Sequence, residues 1–225
     1  MDVPEGAVGD FAHTIVKAGI STLPIVGGPA AELFASLVTP PLERRRNEWM
    51  LDVSARLASL ESKGLDIDRL RDDPFFLDII IGATRIALAT RSSEKRNLLI
   101  NAVENASMGV TLEELEQSLF LSAIERYSVT HISLVFLFDD PPKWFERAGE
   151  QPPAWGSGGL ANVIDSAIPE LRGQRQLAPT FWKQLVSDGF MKDVEIYAMM
   201  SGQGLLLPRT TDLGHRFAGF FRAAY

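Results

Sequence analysis

Residues 74–90 read PFFLDIIIGATRIALAT, and the fold class follows from this stretch. Apolar side chains fall on nearly every side of it at helical spacing, which predicts a helix buried almost all round at the centre of a helical protein. Asp72-Asp73-Pro74 supplies its start. An aspartate there takes up a free backbone N–H, and a proline suits the first helical position because its missing N–H would have had no partner.

Toward the N-terminus, Leu42 to Ser62 predicts an amphipathic helix with Trp49, Val53, Leu57 and Leu60 on one side. Arg44, Glu48, Asp52 and Arg56 lie largely on the other. Before it, PAAELFASLV begins with Pro29 and meets Pro40-Pro41, which predicts a shorter helix closed by the proline pair. Leu23-Pro24-Ile25-Val26-Gly27-Gly28-Pro29 breaks an earlier stripe, Ala7 to Ser21, in which Val8, Phe11, Ala12, Ile15, Val16 and Gly19 recur at helical intervals.

Toward the C-terminus, Ser92-Ser93-Glu94 opens a helix to about Ala106 with Leu98, Leu99, Ala102 and Val103 inward. Thr111 to Glu114 is a capping-box pattern launching a helix to about Tyr127. Asp139-Asp140-Pro141 repeats the Asp-Asp-Pro start, and residues 149–159, GEQPPAWGSGG, read as a linker or mobile loop. Ala178 to Asp188 is a short helix stopped by Gly189. The β-prone runs Val194 to Met200 and Gly204 to Pro208 flank Ser201-Gly202-Gln203 and predict a hairpin. Thr211-Asp212 caps a last helix. The expectation is a mainly α protein: a helical bundle over 1–127, then a winged-helix-like α+β domain with a β-hairpin over 128–225.

Composition bounds what such a chain does. At 46% hydrophobic and 23% charged residues, the 225-residue chain is globular in character, and it holds no cysteine. The absence of cysteine excludes disulfides and thiolate metal sites and fits a reducing, cytoplasmic setting. MDVPEGAVGD carries acids where a secretory signal carries Lys or Arg. The net charge of −7 divides evenly, with 12 basic and 15 acidic residues in 1–110 and 10 and 14 in 111–225. Neither half is a basic nucleic-acid module.

The sequence offers three kinds of candidate site. From Ala18 to Ala31 there is no charge, and Glu32 is the only charge from there to Leu42. Fourteen uncharged residues interrupted by breakers fall short of the ~20 that span a bilayer. Ile20, Leu23, Ile25, Val26, Phe34 and Leu37, followed by Arg44, Arg45 and Arg46, can still form an apolar hairpin with a basic border for conditional contact with a membrane or partner. The plainer alternative packs these helices into the core. Trp155, in the Gly/Pro-rich loop, is expected to be exposed and suited to a partner contact. Second, Arg172, Arg175, Lys183 and Arg209 are the tail's basic candidates for DNA, set among Asp188, Asp193 and Glu195, so nucleic acid is the lesser expectation. Third, His13, His131 and His215 lack metal or nucleophile spacing, and the acidic pairs are explained by capping, so no catalytic residue, metal or cofactor is expected.

The stretches PIVGGPAAELF, PPLERRRNEW and Thr211-Asp-Leu213-Gly214-His-Arg-Phe217 are similar to those of Abi-alpha-type bacterial abortive-infection proteins. That resemblance implies a role in defence or a toxic response without enzymatic activity, and it transfers no catalytic residue. The expected function is a non-enzymatic effector or interaction protein that works through a protein partner or homo-oligomer. The alternative is a winged-helix transcriptional regulator with a dimerising or sensing bundle.

Overall fold

A computed structural model describes residues 29–223, with side chains described from Val38 onward except at Pro40. The helix expected over Ala7 to Ser21 and residues 23–28 of the break after it lie outside the described residues. Ten α-helices and two short strands follow in order. Helix α1 spans Pro29–Ser62, α2 Pro74–Ala89, α3 Ser93–Ser107, α4 Glu114–Arg126, α5 Val129–Asp139 and α6 Pro141–Arg147. Then come β1 (Ser157–Gly158), α7 (Leu160–Ala167), α8 (Leu177–Ser187), β2 (Met200–Ser201), α9 (Gly202–Leu205) and α10 (Asp212–Phe221). Contacts divide the chain into Met1–Arg46 and Asn47–Tyr225.

In the second unit three of the starts read from sequence are made by the expected atoms. The Asp73 carboxylate accepts the Phe76 N–H at 3.2 Å, and the Ser92 hydroxyl accepts that of Lys95 at 3.0 Å. Thr211 does the same for Gly214 at 3.0 Å. Each such cap stabilises its helix by ~1 kcal/mol. α2 buries Phe76, Ile79, Ala83, Ile86 and Ala87 and packs along α3. It is less enclosed than expected, because Leu77 and Ile81 face outward, the latter 67% exposed.

Four expectations need correction. The helix does not stop at Pro40-Pro41 but runs through it as a single 34-residue element. Each proline removes one N–H, so the carbonyls of Ser36 and Leu37 lose their usual partners there. The capping box at Thr111 does not form: α4 begins at Glu114 behind Glu113, with no side-chain cap. Leu112 packs against the core ahead of the helix start. The hairpin is absent as well. Ser201 accepts the Gly204 N–H at 3.2 Å and so opens α9, turning the expected turn residues into a helical start. β2 pairs antiparallel with β1, Ser157 opposite Ser201 and Gly158 opposite Met200. Last, the loop 149–159 is anchored. Gly202 donates to the Gly156 carbonyl at 3.0 Å, and Trp155 meets Phe145 edge-on at 6.4 Å.

The core crosses the boundary expected at 127/128. Phe120 of α4 packs against Phe190 at 6.1 Å and Phe217 at 5.3 Å, and Tyr127 meets Phe190 at 5.9 Å. Phe217, Phe220 and Phe221, at i, i+3 and i+4, are all buried, as their spacing predicts. α10 packs on α3 and α5. Its last carbonyls would be orphaned by the helix end, yet Asn105 of α3 donates to those of Phe220 at 2.8 Å and Arg222 at 2.9 Å. One turn earlier, Asn101 donates to Phe221 at 3.1 Å.

Candidate functional site

The structure distributes the sequence candidates over several places. Ile20, Leu23, Ile25 and Val26 lie outside the described residues, and Phe34 and Leu37 stand on α1 without described side chains. Arg44 and Arg46 are exposed on α1 and Arg45 is half-buried. Trp155, expected to be exposed, is half-buried and packed against the core, because its carbonyl sits where Gly202 leaves room for it. A Cβ at Gly202 would lie 1.8 Å from that oxygen. Arg172, Arg175 and Lys183 are exposed, but Arg209 is turned inward and donates to the Gly204 carbonyl at 2.7 Å. These four do not form one cationic face with Arg209 so engaged.

Sequence reasoning missed a buried ionic cluster at the end of α5. Asp139, read as half of a capping pair, has its side chain 2% exposed, and only Asp140 caps α6, accepting from Lys143 at 3.2 Å. One Asp139 oxygen meets His215 Nδ1 at 2.7 Å and accepts from Thr210 at 3.2 Å. The other accepts from Arg222 Nη1 at 2.9 Å. The Arg222 guanidinium also stands 5.2 Å from the Phe136 ring centroid, a favourable cation–π placement. The imidazole of His215 is 73% exposed. Thr210 donates to the carboxylate, so it does not stand as a nucleophile before the free Nε2. The cluster ties α5 to α10.

A second cluster surrounds His131. The Ser128 N–H donates to its Nδ1 at 3.3 Å, and the His131 N–H donates back to the Ser128 hydroxyl at 3.4 Å, completing a capping box for α5. That arrangement makes Nδ1 an acceptor, so the hydrogen is assigned to Nε2, which faces the Gln184 carbonyl oxygen at 3.1 Å. The ring stacks on Tyr127 at 5.2 Å. Burial holds His131 below its ordinary range, and buried Lys95 adds to this, while Gln184 and Asp188 oppose it. Burial likewise lowers Lys95, whose ammonium donates to the Glu125 carbonyl at 3.1 Å. Burial, then a 2.5 Å bond to Asp188, raises the Tyr127 hydroxyl. Both ring nitrogens of His131 are engaged, Nδ1 by Ser128 and Nε2 by Gln184.

A cleft of about 620 Å³ opens between α7 and the start of α8. Its floor is Ile164, Leu171 and Ala178, and its rim carries Asn162, Asp165, Gln174 and Arg175 under Tyr197. One oxygen of Asp165 accepts the Gly173 N–H at 3.2 Å, and Tyr197 donates to the Arg175 carbonyl at 3.1 Å. Among the described residues no group of three or more His, Asp or Glu converges to hold a metal ion, and no helix is long and apolar enough to cross a membrane. Compared with known proteins, the chain matches no family model, no curated protein and no solved structure.

Proposed function

We propose that the chain is a bacterial defence-type effector or interaction protein in two parts. An apolar N-terminal segment acts on a membrane or partner, and a compact helical body carries it. The observation that supports this reading is the division of contacts between Arg46 and Asn47. The body has a core of its own, from Trp49 to Phe221. The uncharged stretch Ala18–Ala31 falls on the other side of that division, as do Arg44, Arg45 and Arg46 further along the chain. The likeness of PIVGGPAAELF and PPLERRRNEW to Abi-alpha-type proteins points the same way.

Expression in bacteria tests the proposal. The full chain should slow growth, residues 47–225 alone should not, and Ile25→Asp with Val26→Asp in the full chain should abolish the effect. Purified full chain should release dye from anionic vesicles while the body alone does not. Equal behaviour of full chain and body overturns the reading.

A second reading, a winged-helix DNA-binding regulator, draws on the order α7, α8, β2, α10 and on exposed Arg172, Arg175 and Lys183. The engaged Arg209 and the balance of −4 over 111–225 weigh against it. It requires duplex binding that weakens steeply with salt and with Lys183→Ala. No binding at low salt ends it.

A further inference from the structure

We propose that the cleft between α7 and α8 is a binding site for a short zwitterionic peptide, one with both its ammonium and its carboxylate free. This is independent of what the N-terminal segment does.

The first argument is charge. Elsewhere on the body, opposite charges that come close are paired: Arg85 with Glu125 at 2.9 Å and Arg126 with Asp188 at 3.3 Å. Asp165 and Arg175 line one cleft and are not paired with each other or with any other described ionic group. The second oxygen of Asp165 has no hydrogen-bond partner among the described residues, because Gly173 takes only the first. The cleft thus presents an open acceptor for an ammonium and, separately, an open guanidinium for a carboxylate.

The second argument is hydrogen bonding. The carboxamides of Asn162 and Gln174 line the same cleft, and neither has a partner among the described residues. A carboxamide offers a donor and an acceptor together, the complement of a peptide unit's C=O and N–H. The floor residues Ile164, Leu171 and Ala178 are apolar and hold the polar rim in place from below. Local bonds hold the walls in place. Arg172 Nε donates to the Asp165 carbonyl at 3.0 Å, and Tyr197 is tethered to the Arg175 backbone. A volume near 620 Å³ lies within the usual span of small-ligand sites and exceeds what a single amino acid fills.

The test uses the full chain, isotope-labelled, titrated with the tripeptide Ala-Leu-Ala bearing free termini. The expected result is saturable shifts in the amide signals of Asn162, Asp165, Gly173 and Gln174. N-acetyl, C-amide Ala-Leu-Ala should bind tenfold or more weakly. Asp165→Asn, which keeps the acceptor for Gly173, and Arg175→Gln, which keeps the carbonyl for Tyr197, should each weaken binding about tenfold with unchanged melting. The proposal is overturned by no shifts up to about 10 mM peptide. It is equally overturned by equal binding of the blocked peptide, or by AMP binding the cleft more tightly than the free peptide.

Discussion

At the residue scale, Asp139 and His131 carry the sharpest expectations. Removing the Asp139 charge leaves Arg222 partly buried without its counter-ion, with Nε and Nη2 already lacking partners among the described residues. Asp139→Asn should therefore lower the unfolding free energy by about 3 kcal/mol, the usual result of breaking one side of a buried pair. Urea titration measures this, and a loss below the error of the method would show that the pair is not coupled to folding. His131 makes a prediction in pH. Its neutral form is the one the fold favours, so unfolding takes up a proton when the pH drops below the ordinary value of 6.5. Its contribution is complete above that value and is lost as pH falls through the lowered folded value. A stability–pH profile should therefore slope downward below about pH 6.5, and His131→Gln should flatten it. An unchanged slope in the variant assigns the titration elsewhere.

At the element scale, Gly202 and Gly214 mark where backbones touch, and they differ in kind from Gly82. A Cβ at Gly214 would lie 2.0 Å from the Phe190 carbonyl oxygen, so Gly214→Ala forces α10 off the segment after α8. The same atom at Gly82 meets only the tip of Leu121, at 2.7 Å. Gly82→Ala gains up to ~1 kcal/mol of helix propensity to set against a side-chain shift. Thermal melting should find Gly214→Ala destabilised by at least ~2 kcal/mol and Gly82→Ala near neutral. The elements themselves were legible wherever the signal was local. Asp73-Pro74, Ser92 and Thr211 specify their helices within four residues, and the structure uses those atoms. Signals dependent on distant partners were not legible. Asp139 holds the place in its Asp-Asp-Pro start that Asp72 holds in the other, and only residues 71 to 83 positions later give it a separate role. Gly204-Leu205-Leu206-Leu207 has β-propensity, yet Ser201 and the pairing with residue 157 place that run after a strand instead of in one.

At the scale of the whole molecule, Asn47–Tyr225 forms one compact unit by its contacts, and the sequence boundary at 127/128 passes through its core. Residues 47–225 made alone should unfold in a single transition, with near-ultraviolet and far-ultraviolet signals coincident. Separate transitions for 47–127 and 128–225 would restore the boundary expected from the linker-like composition. The cleft was not legible, because Asn162, Asp165, Arg175 and Tyr197 carry no common spacing. They meet through the Ala161 N–H, which donates to the Ile196 carbonyl at 3.0 Å, and through the bonds of Asp165 and Tyr197 to residues 172–175. The attachment of α10 has a further consequence, for biosynthesis. Asn101 and Asn105 wait for carbonyls some 115 positions downstream, and Phe120 waits for Phe217. The nascent chain therefore carries an open aromatic face until synthesis has passed Phe221. A ribosome stalled between Tyr127 and Phe221 holds a chain whose interior has no lid, the form in which a chaperone would meet it.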